Sequence, residues 1–300
     1  MDGKRQTRDP GMSQISRTGQ PLPALAFLGP EGSFSHQAAA SYFGDSVLFH
    51  AVHSIEEVFL SVERGDCLYG IVPVENAYEG SVNTTLDLFY KYKTCICAEI
   101  FQPIGHHLLS KAEHLEDIKQ VFSHQQALAQ CGSWLDSRLQ GIPRIEVAST
   151  SLAAKIVALE PDAAAVGSRA AGEKYGLNIL GENIENHPDN VTRFHAIGKS
   201  PATPTGRDKA SLLFCPLKNP GSLYKALASL EGRGVHMTRI ESRPLKTKKW
   251  EYMFFVDIDG HQEDPNVRRA LEDMQEYCAF IKRLGSYPSG SHYRKVINAH

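Results

Sequence analysis

The chain has no unbroken apolar run longer than the five residues of Ala24 to Leu28 and of Tyr252 to Val256, whereas a membrane-spanning helix needs ~20. No bilayer crossing and no membrane partner are expected. Charge of one sign is also missing: 32 basic residues against 34 acidic ones leave a net charge of -2, so no overall field draws the chain to nucleic acid. The six cysteines (67, 95, 97, 131, 215 and 278) include no C-x-x-C pair, which leaves neither a zinc site nor a disulfide framework encoded. Among 13 histidines the one adjacent pair is His106-His107. Neighbouring residues on a strand point to opposite faces, so no metal is expected there. Residues 1–23 are polar and basic without an apolar centre, a flexible leader rather than a secretory signal, and a cytoplasmic location is expected. What remains, 300 residues with 42% apolar and 22% charged side chains, is an ordinary globular composition with length for two or three domains.

Between Ala24 and Ile197 short apolar runs alternate with amphipathic stretches, and Gly, Ser or Thr marks nearly every switch, the rhythm of an α/β protein. Strands are predicted at Ala24 to Leu28, Val47 to His50, Leu68 to Val74 and Thr94 to Gln102. Helices are predicted at Ser35 to Phe43, from the Ser54 to Glu57 capping box to Gly65, and after Gly80-Ser81. A second lobe starts after Pro103, with strands at His106 to Ser110, Gln120 to Ser123, Arg144 to Val147 and Ala163 to Val166. Its helices run from about Gln126 to Leu139, Ser149 to Leu159 and Ser168 to Gly176, and Thr192 to Ile197 is a last strand. Lys199 to Asp208 carries two prolines, a glycine and almost nothing apolar, which reads as a linker. Beyond it, strands at Lys209 to Cys215, Val235 to Ser242 and Trp250 to Asp257 and helices at Gly221 to Leu230 and Asn266 to Leu284 fit a small ferredoxin-like sandwich with room for a last strand. A loose polar tail is expected from Gly285 onward.

Four strand-to-helix junctions carry small polar residues: Gly29 to Ser35, Glu79 to Ser81, Ser149 to Ser151, and Gly167-Ser168. Each is either an ordinary helix cap or an anion-binding device, since free N–H groups and the positive end of a helix meet there. Four in one α/β unit suit a small ligand with more than one carboxylate or phosphate. None matches a nucleotide-binding glycine loop. Asn76 ends an apolar strand, as a surface turn or as a ligand-holding amide. Thr192-Arg193-Phe194 is either a plain alternating strand with one partly buried residue or a hydroxyl donor beside a carboxylate-binding guanidinium. No adjacent base activates Thr192, which makes it a proton or hydrogen-bond donor rather than a nucleophile.

The ordered set Phe27 to Ser35, Val72 to Asn76, Gly80 to Val82, Val121 to His124, Gln130-Cys131, Ser149-Thr150 and Asn190 to Phe194, with Asn219 to Leu223 and Glu241 to Pro244 further on, resembles the prephenate dehydratase family with a C-terminal ACT regulatory domain. The resemblance runs from about Ala24 to Leu284. It implies a two-lobed catalytic domain like the periplasmic binding proteins, plus a ferredoxin-like βαββαβ ACT domain. The implied division is a leader (1–23), a catalytic domain (24–198; first lobe about 24–102 and 191–198, second about 103–190), a linker (199–208), the ACT domain (209–285) and a tail (286–300).

The implied reaction turns prephenate into phenylpyruvate, CO2 and water without a cofactor. Thr192 is the implied donor to the departing hydroxyl, with Arg193 and Phe194 beside it. Asn76, Ser81, Ser123, Gln130 and Thr150 are implied to hold the carboxylates and the pyruvyl carbonyl. Asn219, Gly221, Ser222, Leu223, Glu241, Ser242, Arg243 and Pro244 are implied to bind phenylalanine as feedback effector, in a homodimer or dimer of dimers paired through the ACT domains. Gln125 and Leu152 depart from the commoner family pattern beside matched residues. The short leader has no room for the chorismate mutase helices of bifunctional relatives, so a monofunctional enzyme is expected. Arogenate dehydratase and a non-catalytic amino-acid sensor are the competing readings, and the intact Thr192-Arg193-Phe194 argues against the sensor.

Overall fold

The computed structural model describes residues 21–245 and 251–290. Most of the expected leader (1–20), Trp250 at the head of an expected strand, and the end of the expected tail (291–300) lie outside the described residues.

The chain first builds β1 (Ala24–Leu28), α1 (Phe34–Phe43), β2 (Leu48–Val52), α2 (Ile55–Arg64), β3 (Tyr69–Asn76), β4 (Gly80–Ser81), α3 (Asn83–Lys91) and β5 (Cys95–Pro103). It then crosses to β6 (His107–Ser110), β7 (Gln120–Ser123), α4 (Gln125–Gln130), α5 (Gly132–Arg138), β8 (Arg144–Glu146), α6 (Thr150–Val157), β9 (Ala163–Gly167), α7 (Arg169–Tyr175) and β10 (Asn178–Gly181), and returns as β11 (Val191–Gly198). The first sheet has the order β2-β1-β3-β11-β5 with β4 on β3, and the second β10-β6-β9-β7-β8. β3 pairs parallel with β1 and β9 parallel with β7, while the returning β11 lies antiparallel to β3 and the entering β6 antiparallel to β9. These are two α/β lobes, joined by two crossings.

Local chemistry sets the helices. Ser54 Oγ accepts from the Glu57 N–H while Glu57 Oε2 accepts from the His53 N–H, and Gly65 closes α2 in the left-handed region. Val58, Phe59 and Val62 are the buried face between those caps. Ser33, Ser149 and Ser168 cap α1, α6 and α7 in the same way.

The third sheet, β13-β14-β12-β15, comes from β12 (Asp208–Pro216), α8 (Ser222–Glu231), β13 (Met237–Pro244), β14 (Tyr252–Asp259), α9 (Pro265–Gln275) and β15 (Cys278–Pro288). This is the ferredoxin-like βαββαβ order. The helix expected to reach Leu284 ends at Gln275, and the expected loose tail begins within a strand. Val267, Ala270, Leu271 and Met274 bury the helical face, but from Cys278 onward the open edge of β12 takes the chain as a ladder partner. Ser286 and Tyr287 look polar yet are buried, because the Ser286 hydroxyl accepts from the Gln262 N–H and Tyr287 OH meets Ser211 and Arg193.

This third unit does not hang on a loose tether. One hydrophobic cluster contains Phe59, Leu86, Phe89 and Ile96 of the first lobe together with Leu213, Phe255, Leu284 and Tyr287. β15 meets β5 backbone to backbone: Gly285 has φ 137°, and a Cβ there would lie 2.4 Å from the Ile96 carbonyl oxygen. Gly285→Ala is therefore expected to cost about 2–4 kcal/mol, the sum of left-handed strain and overpacking. Urea unfolding checks this, and a variant within about 0.5 kcal/mol of the parent, the range of a plain surface substitution, would show that the approach is not close-packed.

Candidate active site

The lobes enclose a cavity of about 390 Å³ lined by Phe34, Asn76, Glu79, Ser81, His106, Gln130, Ser149, Thr150, Asn190 and Thr192, among others. β11 runs between β3 and β5, and Thr192 lies opposite Asn76. The two Asn76 amide hydrogens are both committed: Nδ2 donates to Asn190 Oδ1 at 2.8 Å and to Thr192 Oγ1 at 2.9 Å. Asn76 Oδ1 accepts from the Tyr78 and Glu79 N–H groups, which fixes the amide's orientation. Thr192 Oγ1 is thus an acceptor from Asn76, and its single proton points elsewhere.

No lysine or arginine is among the described lining residues. The positive field comes from backbone instead, because the N-termini of α1, α3 and α6 open on the cavity at Ser33 to Ser35, Val82 and Ser149-Thr150. Three of the four junctions read as anion sites reach the cavity. The fourth does not: Ser168 donates to the Gly32 carbonyl, and Ser151 likewise to that of Glu31, so these hydroxyls tie the lobes together. Tyr78 of the first lobe stacks on His187 of the second. Gln130 Nε2 donates to Glu79 Oε1 at 2.7 Å from the opposite lobe. His106, expected only as a strand residue, lines the cavity with Nε2 3.1 Å from Gln130 Oε1 and its ring edge-on to Phe34. Burial lowers its pKa, with the Gln130 bond working the other way. Asn190, Ser149 and Glu79 lie in the motifs and junctions that the sequence marks, whereas His106 stands out there only as half of a histidine pair judged unfit for a metal.

Several expected roles are corrected. Alternation along β11 sends Thr192 to the cleft and Arg193 to the opposite face. The Arg193 side chain is 8% exposed and grips no ligand: Nε donates to Glu99 Oε2 at 2.8 Å, Nη1 to Asp257 Oδ2 at 2.6 Å and Nη2 to Tyr287 OH at 3.2 Å. Burial works against its charge, but Tyr287, Asp257 and Glu99 together raise its pKa above the ordinary guanidinium value. Phe194 shares the Thr192 face but lies deeper, in the core with Phe27, Ala38 and Ile100. Ser123 is fully buried and donates to the Val166 carbonyl at 2.7 Å, so it ties β7 to β9 rather than touching a ligand. Glu241 and Arg243 bond the first lobe, at Ser81 and Asp87. Asn76, Gln130, Thr150 and Thr192 share the cavity as expected, and Ser81 joins them with its proton already committed to Glu241.

His195, on the Arg193 face, is wholly buried between the Phe89 and Tyr287 rings with no hydrogen-bond partner among the described residues. Burial, then Arg193, Arg239 and Lys209, hold its pKa well below the ordinary imidazole value. Above that ordinary value both folded and unfolded chains keep it neutral. Below it only the unfolded chain takes the proton, so folding stability falls as the pH drops. One such group costs about 1.3 kcal/mol between about pH 7 and about pH 5.5, and His195→Phe is expected to remove that increment from the urea-unfolding difference between the two pH values. An unchanged difference would place a charged histidine in the core.

The Prephenate dehydratase family profile matches residues 25–202. The chain belongs to the prephenate dehydratase family. It is 47% identical over 264 residues to the bifunctional chorismate mutase/prephenate dehydratase of Aquifex aeolicus, covering 88% of this chain and 73% of that protein. Arogenate dehydratase 2 of Petunia hybrida is 35% identical over 93% of this chain and 75% of its own length. Among solved structures, the prephenate dehydratase of Arthrobacter aurescens in complex with L-Phe superposes with a TM-score of 0.82 at 33% identity, covering 89% of this chain and 90% of that one. The dehydratase family accounts for a cleft that offers hydroxyls, amides and helix ends to an anionic ligand.

Proposed function

We propose that the cleft converts prephenate to phenylpyruvate, CO2 and water, with Thr192 as donor to the departing hydroxyl. As the ring carboxylate leaves as CO2, its bonding electrons move through the diene and expel the ring hydroxyl, which takes a proton to become water. The product ring gains aromatic stabilisation, so the demanding part is the leaving hydroxide. A threonine is a weak acid, and its contribution is a preorganised hydrogen bond aimed where charge develops. The observation that carries this reading is the Asn76 amide, which fills a lone pair of Thr192 Oγ1 and leaves the proton to the cavity. Gln130 and Thr150 hold the carboxylates and the pyruvyl carbonyl, Asn76, with both amide hydrogens taken, orients Thr192 instead of the substrate, and the helix N-termini supply the field for two negative charges. The six cysteines are all free, which suits a reducing cytoplasm.

Arogenate carries an ammonium in place of the side-chain carbonyl, and Glu79 is the one carboxylate among the described lining residues, with one oxygen already accepting from Gln130. Side-by-side kcat/KM values test the choice: prephenate is expected to be preferred, and a larger value for arogenate would reverse the assignment.

The third unit, in this reading, is an ACT domain that senses phenylalanine and pairs with a second copy of the chain. β13 is an edge strand carrying exposed Ile240, and Ser242 and Pro244 share its open face. Asn219, Gly221, Ser222 and Leu223 form the turn that starts α8, where Gly221 takes φ 80°. The amino acid's charged ends meet that turn and Ser242, and its ring lies beside Leu223, between the paired domains.

A further inference from the structure

The β3–β4 hairpin brings Asn76, Glu79 and Ser81 to the cleft, and its outer side rests on β13 of the third sheet. Arg239, Glu241 and Arg243 alternate on one face of β13. Arg243 reaches Asp87 of α3 through contacts of 3.2 to 3.3 Å. Arg239, its side chain 9% exposed, lies with Nε 3.0 Å from Glu75 Oε2 and its guanidinium 5.2 Å over the Phe255 ring. Glu75 is the hairpin partner of Ser81. Between Arg239 and Glu241 sits the Ser81 hydroxyl: it accepts from Arg239 Nη2 at 2.6 Å and donates to Glu241 Oε2 at 3.0 Å.

The chemistry of those two partners leaves no freedom in the direction of the bonds. A guanidinium only donates and a carboxylate only accepts, so the single Ser81 proton is held on Glu241 and one lone pair is taken by Arg239. What Ser81 can offer the cavity is its second lone pair. A hydroxyl in that state repels a carboxylate and accepts from a hydrogen-bond donor. We infer that Arg239 and Glu241 are positioning residues of the cleft, fixing Ser81 as an acceptor that recognises the substrate's hydroxyl group rather than its carboxylates.

The inference rests on the dehydratase reading and refines it. The ring hydroxyl that Ser81 holds through its hydrogen turns an oxygen lone pair toward the Thr192 proton, so acceptor and donor together orient the leaving group. The two residues that impose this belong to the third sheet, not to the lobes. The cleft is therefore incomplete without that domain.

Two saturated-ring analogues of prephenate, one bearing the ring hydroxyl and one with hydrogen in its place, provide the test by calorimetry on the full chain. The parent is expected to bind the hydroxyl analogue about tenfold more tightly, the size of a hydrogen bond in a preorganised site. Ser81→Ala is expected to narrow the preference to what the Thr192 donor alone contributes. Glu241→Ala is expected to narrow it in the parent and to change nothing further in the Ser81→Ala background, the signature of a residue that acts through another. A Ser81→Ala protein that keeps the tenfold preference overturns the inference, as does a Glu241→Ala effect of equal size with and without Ser81, which is what mere domain adhesion would produce. Prephenate turnover by the parent separates the two claims: turnover with no Ser81-dependent preference defeats this inference alone, whereas a parent that neither turns over prephenate nor binds either analogue defeats the dehydratase reading and this inference with it.

Discussion

Thr192→Val is expected to fold like the parent and to lose about 10²- to 10⁴-fold in kcat with KM little changed, the range for removing a positioned proton donor. Valine keeps the shape and replaces only the hydroxyl. Asn76 retains Asn190 Oδ1 as a partner for one of its amide hydrogens, so the loss falls on the transition state rather than on the fold. Steady-state kinetics with prephenate give the answer, and a valine variant within about threefold of the parent, too little for a proton donor, would remove Thr192 from the chemistry.

One residue along, the expected consequence is of a different kind. Arg193→Met is expected to destabilise the chain by about 3–5 kcal/mol, because it strips the cation from two buried carboxylates. Glu99 keeps Lys209 at 2.9 Å and Asp257 keeps the Ser211 hydroxyl, but neither replaces a guanidinium that bridged both. Asp257 and Tyr287 belong to the third sheet and Glu99 to β5, so the loss falls on the junction between them. Urea unfolding and the KM of the folded fraction separate the alternatives. A variant of parental stability whose KM rises by about tenfold, the worth of one lost charged hydrogen bond, would return Arg193 to the substrate. Loss of stability with KM nearly unchanged is the expected result.

That contrast shows what was legible in the sequence. The α/β alternation was readable because Ser54, Ser149 and Ser168 cap their helices and the strands between are short and apolar. Thr192, Asn76 and Gln130 were marked by motifs, and the structure brings them to one cavity. Arg193 was misread because motif adjacency suggests a common ligand, whereas the period of a strand places neighbours on opposite faces. Its true partners lie 64 and 94 positions away in sequence, beyond any local pattern. Tyr287 and Ser286 read as tail because their burial depends on distant partners, Arg193 and Ser211 for the one and the Gln262 N–H for the other, not on apolarity. Glu241 and Arg243 were marked as functional residues, but only the fold shows that they face the first lobe. His106 is weighed in the sequence only as half of the His106-His107 pair, and its place in the cavity comes from lying just before β6 rather than within it.

A dehydratase whose own side chains suffice is tested most directly by the product balance of the purified protein with prephenate. Phenylpyruvate and CO2 are expected in equal amounts, catalytically, without added metal or cofactor, and the Thr192→Val protein should form neither above the spontaneous rate by more than the residue's expected loss allows. Turnover that releases CO2 without phenylpyruvate, or no turnover of prephenate by a folded chain, would show that the cleft is not a prephenate dehydratase site.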